Sequence, residues 1–181
     1  MATGRLFENR IVVWNVEASR RLFKDSYYGK PLGIPKPKDF DFDAPLILDL
    51  MESYYLVKKK KLRVENEDGE ALTSKELEAL CSAGYPNFME QYLVYSLLRE
   101  SGFVVGPGIK FGSDFAVYEH GPGIDHAPYL VQVEKDASQV TATGMVRSGR
   151  LATTVRKQFI IAVVNEASRK VDFLGFDWWR A

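Results

Sequence analysis

Cysteine is almost missing from this sequence. The single Cys81 among 181 residues excludes an intrachain disulfide and any cage of cysteine thiolates around zinc, and its expected role is that of a small buried hydrophobe. Long apolar runs are missing too. The longest, residues 44–50 and 159–164, fall well short of the roughly 20 residues that cross a bilayer, and the N-terminus has no uninterrupted apolar stretch of the signal-peptide kind. A soluble, cytoplasmic protein with no membrane partner is expected. Nor is there an excess of charge of either sign, since 24 Lys and Arg face 24 Asp and Glu. Nucleic-acid binding usually needs clustered Lys and Arg, so such a role would require the charges to be segregated by face. Histidine is scarce as well, with two in the whole chain, which narrows where near-neutral proton transfer can sit.

What is present is apolar enough to fold. Hydrophobic residues make up 46% of the chain, sufficient for one ordinary core or two small ones, and two small lobes are expected. Cations gather at Lys24, Lys30, Lys36, Lys38 and residues 58–61, and acids at 39–43 and 65–70. Such runs are more often solvated surface than binding site.

Residues 10–14 alternate and are rich in β-branched side chains, which predicts a strand. Asn15 then caps a short amphipathic helix over 16–24, ending near Tyr27. Residues 30–45 turn to Pro, Gly, Lys and Asp, a loop long enough to suggest function. Residues 46–52 read as helix, 54–58 and 61–65 as a hairpin around the lysines, and 73–81 as a helix with a Thr or Ser cap. The chain breaks near Gly84, and residues 88–100 resume as an apolar-striped helix ended by Gly102. Strands follow at 103–105, 115–118, 129–134, 159–165 and 171–179, the last two forming a hairpin, with a short helix over 149–157. The reading is α+β and α/β: a small α+β N-terminal domain over 1–83, then an α/β domain over 84–181. The second domain is expected to be a five-stranded mixed sheet with one helix packed on it and another inserted, of the restriction-endonuclease kind.

Both histidines, His120 and His126, fall in the Gly- and Pro-rich connection 119–128 between two apolar strands, so both belong near one end of the sheet, where α/β proteins usually keep their chemistry. A loop histidine is by itself more often plain surface than catalyst. Tyr118 read alone is an ordinary strand-end aromatic, and Lys157 an ordinary cation at a helix end, where the macrodipole favours it.

Three separated blocks go further. Residues 110–118, residues 121–131 with His126, and residues 155–157 running into an apolar strand together resemble the signature of tRNA-splicing endonucleases, and the Tyr28-Gly-Lys-Pro31 segment resembles that family's N-terminal domain. The likeness is closest to catalytic subunits of the archaeal, crenarchaeal heteromeric type. It implies a metal-independent RNase without cofactor, cutting precursor tRNA at bulge-helix-bulge junctions and leaving 2',3'-cyclic phosphate and 5'-hydroxyl ends. The family's general-base tyrosine falls on Tyr118, its general-acid histidine on His126 and its lysine on Lys157. Arg150 and Trp178 match the family's clamp on an extruded base, with Trp179 as the alternative to Trp178. The loop 30–43 resembles an insertion of the crenarchaeal branch thought to touch RNA, which makes Lys36 and Lys38 candidates. Residues 134–146 correspond to a subunit-docking loop carrying acids such as Glu134 and Asp136. The implied partner is a second endonuclease subunit, in a heterotetramer of two catalytic and two structural subunits, or further copies in a homotetramer.

Two rivals are weighed beside this. A metal-dependent nuclease on the same fold could use Asp114 as an anchor, but Glu134-Lys135 lacks the spacing to complete the site, because neighbours on a strand point to opposite faces. A non-catalytic RNA-binding scaffold subunit would have no need of Tyr118, His126 and Lys157 together.

Overall fold

Two units divide the chain, Met1–Phe88 and Met89–Ala181, each built on a five-stranded mixed sheet. The structure, a computed structural model, describes residues 1–35, 37–124, 126–136, 141–154 and 156–176, without the side chains of 147, 148 and 151–154.

In the first unit, β1 (Ala2–Phe7) and β2 (Arg10–Val13) form a hairpin that turns through Glu8 at φ 52. Sequence reading anticipated β2 and missed β1. After β2 comes α1 (Val16–Ser26), capped by Asn15, whose side-chain oxygen accepts the Ala18 N–H at 2.8 Å, and closed by left-handed Tyr27. Strands β3 (Lys30–Pro31), β4 (Leu46–Leu48) and β5 (Leu62–Glu65) complete the order β3-β4-β2-β1-β5, with β5 parallel to β1 and the other pairs antiparallel. Gly29, at φ +71, brings the backbone close to β4, and a Cβ there would lie 2.7 Å from the Ile47 carbonyl oxygen, so only glycine fits without strain.

Two sequence expectations fail in this unit. Residues 46–52 are not one helix, because Leu46 and Leu48 alternate inward on β4 and the helix α2 (Leu50–Lys58) begins only after Asp49. A reciprocal cap marks that start: Asp49 Oδ1 accepts the Glu52 N–H at 2.7 Å while Glu52 Oε2 accepts the Asp49 N–H at 3.2 Å. Residues 54–58 are not a strand of a hairpin but the body of α2. Tyr54, Tyr55 and Leu56 are all buried, and a helix buried nearly all round loses the stripe that periodicity reads. The lysines therefore close a helix, and β5 pairs with β1 instead.

The predicted loop 30–45 is irregular beyond β3 but anchored. Leu32 N–H donates to the Pro45 carbonyl at 2.8 Å across its neck, Arg20 Nε donates to the Phe42 carbonyl at 2.7 Å, and the Phe40 and Phe42 rings pack on Phe23. Next, α3 (Ser74–Gly84) starts at the predicted Thr73 cap. Its Cys81 is fully buried, and burial, helped by Asp49 and Glu78, pushes the thiol pKa up to about 12.

The second unit holds α4 (Phe88–Glu100) and the sheet β10-β9-β8-β7-β6. Its strands are β6 (Val104–Pro107), β7 (Phe115–Tyr118), β8 (Tyr129–Lys135), β9 (Gln158–Asn165) and β10 (Lys170–Phe176). Only β8 and β9 are parallel, and α5 (Ala142–Thr154) makes the crossover between them, as a parallel pair requires. One face carries α4, with Tyr95 against Phe115 and Arg99 Nη2 donating to the Val105 carbonyl at 3.0 Å. The other face is the cluster Ala116, Ala127, Leu130, Phe159 and Ile161, on which Met145 of α5, Phe111, Tyr118 and Phe176 pack.

The expected helix over 149–157 is a further correction. Helix α5 begins seven residues earlier, at Ala142, and stops before Lys157. Thr141 Oγ1, accepting the Gly144 N–H at 3.1 Å, starts it, and the glycines at 144 and 149 lower its helix propensity enough to hide it from the sequence. Lys157 thus stands at the entry of β9 rather than on a helix end.

Candidate active site

Sheet register assembles the candidate residues. Val117 lies opposite Tyr129, and Tyr129 opposite Gln158, so β7, β8 and β9 run side by side at this row. Gln158 N–H extends the ladder one step further by donating to the Pro128 carbonyl at 2.8 Å. Because β7 is antiparallel to β8 and β8 parallel to β9, the end of β7, the approach to β8 and the approach to β9 share one edge of the sheet. Tyr118 ends β7, His126 lies three residues before β8, and Lys157 immediately precedes β9.

Facing follows from alternation. Tyr118 is half-buried on the Ala116 face, against the cluster that holds Leu130 and Phe159. Lys157, two residues before Phe159, belongs to the same face, and its contacts agree. Its Nζ donates to the Ala127 carbonyl and stands 5.1 Å from the centre of the Phe111 ring. With strands 4.7–4.9 Å apart, the backbones at 118 and 157 are about 10 Å from each other. Arg156, just before the lysine, has φ 55, a left-handed bend that costs a non-glycine residue about 1 kcal/mol and turns the chain from α5 into β9.

The connection 119–128 carries both histidines, and both are exposed. Gly121 at φ 132 and Gly123 at φ 98 shape it, and Ile124 N–H closes a turn on the Gly121 carbonyl at 3.1 Å. It is clasped at both sides of its exit. The Lys157 ammonium holds the carbonyl of buried Ala127, the residue after His126. On the other face, Tyr129 Oη donates to Glu119 Oε1 at 2.9 Å, and the Tyr129 ring meets Phe103 edge-on. That bond and the carboxylate's charge hold the Tyr129 phenol pKa above its usual value.

Among these clasping groups Lys157 was singled out from the sequence, and the bond between Tyr129 and Glu119 was not. Glu119 and Tyr129 could have been found, because Glu119 directly follows one predicted strand, Tyr129 opens the next, and the hairpin register sets them on one face. Phe111 and the Ala127 carbonyl carried no sequence signal.

The other candidates divide. Arg150 lies exposed on α5, and Lys38 lies exposed in the 32–45 segment of the first unit. Lys36, Trp178 and Trp179 lie outside the described residues. Asp114 sits at the opposite end of β7 from Tyr118 and is otherwise engaged: its Oδ2 accepts the Val133 N–H at 2.7 Å and its Oδ1 a bond from Gln91 Nε2 at 3.2 Å. Burial raises its pKa, with the Val133 bond opposing. Among the described residues, no three His, Cys, Asp or Glu side chains are grouped so as to hold a metal ion, and no helix is long and apolar enough to cross a membrane.

What the edge can do chemically is move two protons beside a fixed cation: a phenol and an imidazole as exchangeable groups, an ammonium as charge stabiliser. Comparison with known proteins gives the family. A family model described as "tRNA intron endonuclease, catalytic C-terminal domain" matches residues 88–173, and one described as "tRNA intron endonuclease, N-terminal domain" matches residues 2–78. A Hyperthermus butylicus protein named tRNA-splicing endonuclease is 45% identical over 169 residues, 93% of each chain. One of that name from Sulfurisphaera tokodaii is 43% identical over 176 residues, 97% of each, and one from Saccharolobus islandicus is 38% identical over 179 residues, 98% of each.

Proposed function

The chain belongs to the tRNA intron endonuclease family, and from that premise we propose that it is the catalytic subunit of a tRNA-splicing endonuclease cutting precursor tRNA at bulge-helix-bulge junctions without metal. In this reading the 2'-hydroxyl beside the cut attacks its own phosphate. Tyr118 takes or positions the hydroxyl proton, His126 returns a proton to the departing 5'-oxygen, and the Lys157 ammonium offsets the extra negative charge of the pentacoordinate phosphate. The P–O bond to the 5'-oxygen breaks as the bond to the 2'-oxygen forms, leaving a 2',3'-cyclic phosphate and a 5'-hydroxyl. Proton and charge are conserved within these three groups, so no ion or cofactor is called for.

The observation that carries the reading is the shared edge: β7, β8 and β9 end or begin together where Tyr118, His126 and Lys157 stand. The Lys157 bond to the Ala127 carbonyl supports it further, because it ties the lysine to the residue beside the histidine. Arg150, with Trp178, is the proposed clamp on an extruded base, since unpaired bases are commonly held by stacking on guanidinium and aromatic planes. Lys36 and Lys38 are proposed to reach RNA from the anchored 32–45 segment. A second subunit, in a heterotetramer or in a homotetramer of like chains, is proposed as the working assembly.

Incubation of the purified protein, alone and with a second subunit, on bulge-helix-bulge RNA in excess EDTA tests the mechanism by end-group analysis. Cyclic phosphate and 5'-hydroxyl ends are expected. Immediate linear 3'-phosphates, or activity abolished by the chelator, would overturn it. The choice of histidine is tested separately, with His120→Ala expected to retain cleavage and His126→Ala to lose it.

A further inference from the structure

We infer that the lysine turn closing α2 is an additional contact surface for the phosphodiester backbone of the RNA substrate, one that uses none of the residues assigned to the cut. The inference rests on the endonuclease reading for the identity of its partner. Its own evidence is the placement of charge in the first unit.

Lys58 ends α2, and the next three residues fold back on it. The N–H groups of Lys59, Lys60 and Lys61 donate to the carbonyls of Tyr55, Val57 and Leu56 at 2.9, 2.9 and 2.8 Å. Lys60 takes the left-handed conformation, at φ 56, that reverses the chain. Four lysines are thereby gathered on one tight turn. Two of them are laid down on buried rings: Lys58 Nζ stands 5.4 Å from the centre of the Tyr54 ring and Lys59 Nζ 5.5 Å from that of Tyr55, rings that are 1% and 5% exposed. Lys61 reaches Asp25 on α1 at 2.9 Å. Beside this bridge lies a concavity of about 230 Å³ whose lining includes Arg21, Lys60, Lys61 and Asp25. The turn and this concavity bring five cations together, with Asp25 among the lining residues.

A helix end explains part of this and not all. Cations in the last turn offset the macrodipole, but that effect dies away within the turn. Lys60, Lys61 and Arg21 lie beyond it. The chain as a whole is neutral, so its attraction for a polyphosphate has to come from local excess. A run of ammonium groups next to a basic concavity matches a ligand with anions repeated along a strand. Holding two of the ammonium groups over tyrosine rings also lowers the side-chain entropy lost on binding.

The test uses precursor tRNA as probe and the assembled enzyme with full-length chain. Binding is followed over a KCl series for the wild type, for Lys58→Gln/Lys59→Gln/Lys60→Gln, and for the matching triple Lys→Arg variant. The Gln variant is expected to bind about tenfold more weakly at moderate salt, and its slope of log affinity against log salt to fall by roughly 2 to 3, the change for three lost phosphate contacts. The Arg variant is expected to keep the wild-type slope, and the loss in cleavage to be read in KM. Wild-type affinity and slope in the Gln variant would overturn the inference, as would an equal loss in the Arg variant, which would show disturbed folding instead of lost charge. A wild type that binds this RNA without cutting it counts against the endonuclease reading alone, and the slope comparison still decides the lysine turn.

Discussion

The two units repeat one arrangement of strands and put different chemistry on it. In each, a strand runs antiparallel to a neighbour that is itself parallel to the next: β2, β1 and β5 in the first unit, β7, β8 and β9 in the second. Each trio therefore has one edge where the first strand ends and the other two begin. In the second unit that edge carries Tyr118, the loop of His126, and Lys157. In the first it carries exposed Trp14, the start of β1, and Lys61 with its lysine neighbours. Strand direction supplies the edge, and the residue types on it differ: a phenol, an imidazole and one ammonium group on one, a run of lysines on the other. A restriction-endonuclease-like sheet is a frame for such an edge and does not by itself make a nuclease.

The comparison can be broken most directly at the histidine. His126→Ala is expected to slow cleavage about 10²–10⁴-fold, the usual range for a positioned acid or base, measured by single-turnover cleavage at saturating RNA. Trp14→Ala, at the matching edge of the first unit, is expected to leave that rate alone. A comparable loss from Trp14→Ala would show that the two edges are not chemically distinct. A stability test comes next. Leu48, fully buried on β4, is expected to cost about 2–5 kcal/mol on replacement by Ala, read by thermal or denaturant unfolding, with the first unit affected.

Asp114→Ala is a smaller perturbation of the other sheet. It removes the acceptor of the Val133 N–H and of Gln91, and about 1–3 kcal/mol of stability should be lost. The pH dependence has a definite sign. Burial raises the Asp114 pKa in the folded chain, so ionising it favours the unfolded state, and stability falls as pH rises from the unfolded value through the raised one. The Ala variant should lack that fall when unfolding is measured across the acidic range. Smallest is Tyr129→Phe, which deletes the clasp to Glu119 while keeping the ring. A cleavage loss below about tenfold is expected, the worth of roughly one ordinary hydrogen bond, and a loss as large as that of His126→Ala would mean the clasp takes part in the chemistry.

Much of the second unit could be read in advance because its strands are apolar and β7 is set off on both sides by glycine-containing connections; β7 was anticipated over the same residues, 115–118. The caps at Asn15 and Thr73 were legible for a local reason, since the accepting side chain and the donating N–H are three residues apart. What failed was set by distant contacts. Residues 54–58 form a helix whose tyrosines are covered by the fold, and β1 finds its partners in β2 and in β5, some sixty residues on. Helix α5 hid behind its own glycines.

Sequence alone narrowed the candidates for proton exchange, because both histidines fall in one loop, and its resemblance to a known family pointed to Tyr118 and Lys157. It could not determine that the lysine holds the carbonyl beside His126, that Glu119 clasps Tyr129, or that a lysine run expected in a hairpin closes a helix beside Arg21. Those are contacts between residues far apart in the chain, and only packing sets the distances between them. Residue type is a property of one position, whereas proximity is a property of the fold.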